Sequence, residues 1–109
     1  MHPFLENLSN LLKMINMANA INEKLRNECQ NALESLEKLN LEETAELQAK
    51  LAWCIGSYDY DQNPSGLSEF GGMALKALNK IKEKNPRKVA KKVIDGLDAA
   101  IRNFETSQH

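Results

Sequence analysis

The first long apolar pattern of the chain lies in residues 4–39, which read FLENLSNLLKMINMANAINEKLRNECQNALESLEKL. It contains no glycine and no proline, and apolar side chains recur along it in steps that alternate between four and three residues. This spacing is that of the a and d positions of a coiled coil, sustained over about five heptads. The stretch therefore predicts one long helix with a single apolar seam, formed by Phe4, Leu8, Leu11, Ile15, Ala18, Asn22, Leu25, Cys29, Ala32, Leu36 and Leu39.

Three shorter helices are predicted after this one, each opened by an asparagine. Asn40 is expected to cap the second helix, with Glu43 completing a capping-box-like pair, and that helix should run to about Tyr58. Asn63–Pro64 and Asn85–Pro86 are expected to open the third and fourth helices, because proline is favoured in a first helical turn. The whole 109-residue chain is thus predicted to be a single all-α domain, a small bundle of four helices.

The unequal lengths of the predicted helices raise the first functional question. The first helix should measure about 54 Å, roughly twice the others, whereas a compact bundle requires matched lengths. It must therefore bend near Asn16–Asn22 or project from the bundle. A projecting apolar seam favours a partner, and a homodimer is the simplest one. The expected interface comprises Phe4, Leu8, Leu11, Ile15, Ala18, Asn22 and Leu25.

Asn22 supports the dimer, because one asparagine in an apolar seam can fix the register and the oligomeric state of a coiled coil. The alternative is that the seam packs only against helices of its own chain, in which case the first helix must fold back. Both interpretations stay open at this point. Either way, the pattern predicts a protein that works through helix packing.

Charge segregation is the second informative feature. Residues 76–92 contain eight lysines and arginines opposed only by Glu83, although the net charge of the chain is −1. Residues 28–69 contain nine acidic residues and only two lysines. A basic corner between the third and fourth helices could meet an acidic protein or the phosphates of a nucleic acid. The patch expected to do so comprises Lys80, Lys84, Arg87, Lys88, Lys91 and Lys92.

The segment SYDYDQNPSG, residues 57–66, is predicted to be a corner between helices. Asp59, Asp61 and Asn63 match the first three ligand positions of a calcium-binding EF-hand loop, but Pro64 stands where that loop needs glycine. The two aspartates are therefore interpreted as solvated turn residues. No metal site is expected.

Catalysis finds little support in the sequence. The two histidines are residues 2 and 109, so no internal histidine can activate Cys29, Cys54 or a serine. No phosphate-binding loop, zinc-protease motif or nucleophile elbow is present. The sequence therefore predicts a protein without enzymatic activity and without a cofactor. A small-ligand groove remains as an alternative, lined by Trp53, Tyr58, Tyr60 and Gly71.

The compartment is predicted from the cysteines and from hydropathy. Two cysteines 25 residues apart form no disulfide framework, and no run of 18 apolar residues could cross a membrane. We expect a cytoplasmic protein with reduced thiols. Three functions follow: a self-associating interaction module, a nucleic-acid-associated protein that uses the basic corner, and a small-ligand binder.

Overall fold

The computed structural model describes the backbone of residues 3–107 and the side chains of residues 11, 12 and 15–107. Four helices account for most of it: α1 (Pro3–Leu39), α2 (Ala45–Asp61), α3 (Ser65–Lys84) and α4 (Lys91–Ser107). A short 3₁₀ helix, Glu42–Thr44, lies between α1 and α2. Residues 3–107 contain no strand. The predicted all-α bundle of four helices is confirmed.

The helices alternate in direction along the chain. The start of α2 lies beside the end of α1, where the Gln48 side chain donates a hydrogen bond to the Leu36 carbonyl oxygen at 3.4 Å. The end of α2 lies beside the middle of α1. Helix α3 then returns along α2, and α4 runs back along α3 and α1. The short connections dictate this up-down order, since they join neighbouring antiparallel helices.

Helix α1 is continuous and longer than the rest of the bundle. It passes through Asn16–Asn22 without a bend that would interrupt its helical hydrogen bonding, and the molecule measures 61 × 25 × 19 Å. The core begins only at Ile21 and Leu25, whereas every described side chain between Leu11 and Ala20 is exposed. We call residues 3–20 the arm. The sequence left bending and projection open, and the structure shows projection.

The core is built from the seam of α1 together with one face of each other helix. Leu25, Cys29, Ala32 and Leu36 are fully buried on α1. Their partners include Leu51, Tyr58, Leu67, Leu78, Leu97 and Phe104. The second half of the seam therefore stabilises the chain's own fold, since burying one leucine side chain contributes about 2 kcal/mol.

Both buried cysteines face a glycine of α3. A Cβ atom on Gly66 would lie 2.7 Å from the Cys54 sulfur, and one on Gly71 would lie 3.0 Å from the Cys29 sulfur. The two glycines thus let α3 approach α1 and α2 closely. The neighbours at Gly71 are Cys29 of α1 and residues of α4, whereas Trp53 lies exposed on the outer face of α2.

The predicted role of Asn40 is wrong. Asn40 adopts a left-handed conformation with φ of 51°, and its N–H still donates to the Leu36 carbonyl oxygen, so it ends α1 instead of capping α2. Asparagine tolerates this conformation better than most residues. The turn into α2 is held by Thr44, whose hydroxyl donates to the Leu41 carbonyl oxygen at 2.8 Å. The expected capping pair with Glu43 does not form.

The start of α4 also differs from the prediction. Pro86 opens a turn, and α4 begins at Lys91. Within that turn the Val89 side chain is 2% exposed, and its carbonyl oxygen accepts a hydrogen bond of 2.8 Å from the Lys82 ammonium group. Burial of Val89 holds the turn against the core, which keeps the backbone from entering α4 immediately after the proline.

Candidate interaction surfaces

The arm exposes an apolar face. Leu11, Leu12 and Ile15 are 53%, 53% and 48% exposed on this face, whereas Met17, which is 65% exposed, lies on the other side of the helix. Of the predicted interface, Leu11, Ile15 and Ala18 are exposed, Asn22 is half-buried and Leu25 lies in the core. Phe4 and Leu8 belong to α1, but their side chains lie outside the described residues. The seam therefore leaves the core at Asn22 and continues along the arm on the same helical face.

Four polar side chains hold the base of the arm against α2. The Tyr58 hydroxyl donates to Glu23 Oε1 at 3.0 Å. The guanidinium of Arg26 donates to both oxygens of Asp59, at 3.0 and 2.8 Å. Asp59 was predicted to be a solvated turn residue, and this bidentate ion pair corrects that interpretation. We call these four residues the base clamp.

The environment of the base clamp shifts the pKa values of three of its four residues. Burial, and then the hydrogen bond to Glu23, raises the pKa of Tyr58 to about 12. The hydrogen bonds from Arg26 lower the pKa of Asp59, and the carboxylate in turn raises the pKa of Arg26. Bidentate arginine–carboxylate pairs have a defined geometry. The clamp therefore fixes the direction in which α1 leaves the bundle.

Only residues 62–64 of SYDYDQNPSG form the predicted corner, because α2 continues to Asp61 and α3 begins at Ser65. Asp61 Oδ1 accepts a hydrogen bond from the Asn63 N–H at 2.9 Å, and Asn63 Oδ1 accepts one from the Ser65 N–H at 3.2 Å. Gln62 ends α2 with a φ of 64°. Within residues 3–107 no three histidine, cysteine, aspartate or glutamate side chains are grouped so that they could hold a metal ion.

The structure divides the predicted basic patch into three places. Lys80 and Lys84 lie on the outer face of α3, where they line a cleft of about 570 Å³ beside the 3₁₀ helix. Arg87 and Lys88 are exposed in the turn before α4. Lys91 and Lys92 line a second cleft, between α1 and α4. The six cations are therefore distributed over α3, the turn and α4, and neither of these two clefts is lined by all of them.

The cleft between α1 and α4 has mixed charge. Its wall includes Glu28, which is 8% exposed and is paired with Lys24 at 2.9 Å. Gly96 of α4 makes this burial possible, because a Cβ atom there would collide with the Glu28 carboxylate. Lys91 and Lys92 share the cleft with Glu34 and Asp95. Opposite charges at similar density give this cleft no preference for an anionic partner.

The four residues predicted to line a small-ligand groove do not lie together. Tyr58 and Gly71 are buried in the core, whereas Trp53 and Tyr60 are 73% and 92% exposed. Trp53 and Tyr60 are seven residues apart and so share the outer face of α2, two turns from each other. The described side chains thus provide an exposed aromatic pair and no groove formed by all four residues.

Sequence reasoning missed the apolar side of the α3 cleft. Met73, Ala77 and Ile81 form a stripe beside the stripe of Lys76, Lys80 and Lys84, and both stripes advance in steps of four residues. The step of four among the lysines is visible in the sequence. The exposure of the apolar stripe is not, because the sequence does not show that the 3₁₀ helix leaves this side of α3 partly uncovered.

Comparisons with protein-family models, with curated proteins and with solved structures give no match for this chain. No helix within Pro3–Ser107 combines the length and the apolar composition that a membrane crossing requires.

Proposed function

We propose that this protein is a self-associating helical interaction module, and that the arm of α1 is the surface through which two copies pair. The observation that supports it is the projection of the arm: residues 11, 12 and 15–20 are all exposed, and three large apolar side chains, Leu11, Leu12 and Ile15, lie on or beside its seam. Apolar surface of this kind on a projecting element marks a contact. The sequence extends the same seam to Phe4 and Leu8, close to the tip of the helix.

The position of the bundle favours antiparallel pairing of the arms. The apolar face of the arm and the buried face of α1 are one continuous face, and α2, α3 and α4 cover it from Ile21 onwards. In a parallel pair with the seams facing, each bundle would occupy the space of the other. In an antiparallel pair only the arms overlap, and the bundles lie at opposite ends.

Antiparallel pairing places a two-fold axis across the middle of the two arms. If residues 3–20 of two copies overlap fully, residue i of one copy faces approximately residue 23 − i of the other, so Leu11 and Leu12 lie next to the two-fold axis. A two-fold interface is isologous, with the same surface on both subunits. The apolar side chains Leu11, Leu12 and Ile15 would then be buried near its centre, where interface residues contribute most.

The strength of the pairing is expected to be moderate. Burying the exposed half of a leucine or isoleucine contributes about 1 kcal/mol, and association costs about 4 kcal/mol or more in lost freedom. Leu11, Leu12 and Ile15 of two arms thus contribute about 6 kcal/mol, which leaves about 2 kcal/mol net. A micromolar complex needs about 8 kcal/mol net, so the rest of the seam, which the sequence extends to Phe4 and Leu8, has to contribute about 6 kcal/mol more. Self-association should then be reversible and should depend on protein concentration.

The test is molar mass by light scattering across a dilution series. Wild-type protein should approach twice 12.3 kDa as concentration rises. The double variant Leu11→Glu/Ile15→Glu should stay at the monomer mass, because four glutamates would meet near the axis. Ala20→Glu adds the same kind of charge on the opposite face of the arm, and it should dimerise like wild type. A wild-type monomer at every concentration, or a dimer unaffected by the seam variant, rejects the proposal.

Cysteine cross-linking tests the orientation separately. Leu12→Cys lies beside the proposed axis and should form an intermolecular disulfide under mild oxidation. Ala18→Cys lies on the seam but far from the axis, so it should cross-link only if the arms are parallel. The native thiols, Cys29 and Cys54, are 0% and 4% exposed and should not compete. Cross-linking through Ala18→Cys but not through Leu12→Cys would contradict the antiparallel arrangement.

The thiols also support a proposal about the compartment. Cys29 and Cys54 are both free and buried, and burial raises the pKa of Cys29 to about 12. We propose that the protein works in the cytoplasm, where thiols stay reduced. Labelling both thiols in denatured protein taken directly from cells tests this, because a disulfide or another oxidised form would block the reaction.

A further inference from the structure

The outer face of α3 carries two parallel stripes of different chemistry. Met73, Ala77 and Ile81 form the apolar stripe, and Lys76, Lys80 and Lys84 form the basic one. Both line the cleft of about 570 Å³ between α3 and the 3₁₀ helix. We call this cleft the α3 groove. We propose that the α3 groove binds an acidic amphipathic helix of another protein.

The apolar stripe is open to a partner. Met73 is 49% exposed although methionine is typically buried, and Ala77 and Ile81 are only half-buried. Glu43 and Thr44 form the far wall of the groove. An apolar stripe with a step of four residues matches the ridge that residues i and i+4 form on a second helix. A helix laid in the groove would cover Met73 and complete the burial of Ile81.

The basic stripe is available for charged contacts. None of Lys76, Lys80 and Lys84 forms a salt bridge with any residue in the part of the chain that the structure describes. Lys24, Arg26, Lys50 and Arg102, in contrast, each pair with a carboxylate. Three unpaired ammonium groups spaced one turn apart would pair with acidic residues spaced in the same way on a partner helix.

The apolar stripe decides between two kinds of anionic partner. A nucleic acid presents phosphates, which would contact the lysines but could not cover Met73 favourably. No aromatic side chain lines the groove on which a base could stack. An amphipathic helix satisfies both stripes together, and helices commonly bind in grooves in this way. The chain's own arm is a poor occupant, because residues 3–20 contain one glutamate and one lysine.

The experiment uses a designed peptide as the probe. The peptide has about 18 residues, or five helical turns, with leucines at i, i+4 and i+7 and glutamates on the adjoining stripe. Binding of the fluorescein-labelled peptide to the full chain is followed by anisotropy. A scrambled peptide of identical composition and a DNA duplex are measured in parallel, at low and at physiological ionic strength.

Two groove variants and one matched control separate the contribution of the lysines to binding from that of the apolar stripe. Lys80→Glu/Lys84→Glu should weaken binding about tenfold, since it replaces two attractive pairs by repulsion. Met73→Gln leaves the charge unchanged and should weaken binding about fivefold through lost apolar burial. Lys91→Glu/Lys92→Glu makes the same charge change on α4, so it should leave the affinity within about twofold.

The proposal is supported if the helical peptide binds more tightly than its scrambled form and both groove variants weaken it. It is overturned if the peptide does not bind, if the scrambled form binds equally well, or if the α4 variant is as damaging as the α3 variant. Tighter binding of DNA that is insensitive to Met73→Gln would overturn it in favour of a phosphate-binding surface. The seam variant Leu11→Glu/Ile15→Glu should bind the peptide like wild type, which keeps this test independent of self-association.

Discussion

The close contact between Gly66 of α3 and Cys54 of α2 predicts that Gly66→Ala destabilises the wild-type protein but stabilises a protein that lacks the Cys54 sulfur. A Cβ atom on Gly66 would lie 2.7 Å from the cysteine sulfur and 3.4 Å from its Cβ. Cys54 has a single side-chain torsion, so it has little freedom to move away. Overpacking of this kind costs about 2 kcal/mol, whereas glycine to alanine in a helix gains about 0.5–1 kcal/mol. Gly66→Ala should therefore lower the free energy of unfolding by about 1 kcal/mol.

The same substitution should stabilise a Cys54→Ala protein. That background lacks the sulfur, and the methyl group of alanine at position 66 would fill much of the space that the sulfur leaves. The helix-propensity gain then remains, and Gly66→Ala should raise the free energy of unfolding by about 1 kcal/mol. The coupling energy between the two sites is thus about 2 kcal/mol, within the range measured for residues in contact.

The free energies of unfolding in this double-mutant cycle can be measured by urea unfolding monitored with circular dichroism. Trp53 is 73% exposed, so its fluorescence would be a poor reporter of burial. All variants should be compared at one protein concentration, because self-association would make stability concentration-dependent. Gly56→Ala is the control: no heavy atom lies within 4 Å of a Cβ built there, so it should stabilise both backgrounds by about 0.5–1 kcal/mol. If Gly66→Ala stabilises the wild type as much as Gly56→Ala does, the packing argument is refuted.

Three further predictions concern the core and the base clamp. Burial raises the pKa of Cys29 and of Tyr58 to about 12, from ordinary values of 9.0 and 10.0. Since the unfolded chain loses these protons first, stability should be complete below about pH 9 and should fall as the pH rises towards 12, and Cys29→Ala should make the decline shallower. The hydrogen bonds from Arg26 lower the pKa of Asp59. The ion pair therefore stabilises the fold fully at pH values above the ordinary carboxyl pKa, and this stabilisation is lost as the pH falls through the lowered pKa of Asp59. Asp59 is 47% exposed, so Asp59→Asn should cost less than about 1 kcal/mol in urea unfolding at pH 7, and a larger loss would contradict this account. Leu25→Ala should cost about 3 kcal/mol in the same assay, because Leu25 is fully buried, and a cost below about 1 kcal/mol would contradict its place in the core.

The periodic part of the fold could be predicted from the sequence because burial repeats with the helical turn. Leu25 and Leu36 belong to one seam in the sequence and to one buried face in the structure. The ends of the helices were harder to predict. Asparagine can precede a helix or follow one, and only the φ of 51° at Asn40 distinguishes the two roles. The sequence likewise gave no sign that burial of Val89 would delay the start of α4.

The sequence predicted the charge and the apolar spacing of the candidate surfaces, but not how the fold exposes or separates them. The lysine step that includes Lys80 and Lys84 was visible in the sequence, but its separation from Lys91 depends on the turn between α3 and α4. The arm was predictable as a seam, yet its exposure depends on where the other helices end. Base-clamp contacts such as the bond from Tyr58 to Glu23 join residues 35 positions apart, and no local pattern marks such a pair.

The unbroken path of α1 through Asn16–Asn22 makes the arm a molecular ruler. Leu11 and Leu25 are 14 residues apart, so the rise of the helix separates them by about 21 Å. Inserting seven residues between them would lengthen the ruler by about 10 Å and turn its apolar face by only about 20°. Inserting five would turn that face by about 140° and point it away from its present direction. The number of residues between the tip and the core therefore sets two quantities at once: the distance of a bound partner from the bundle, and the direction in which that partner is held.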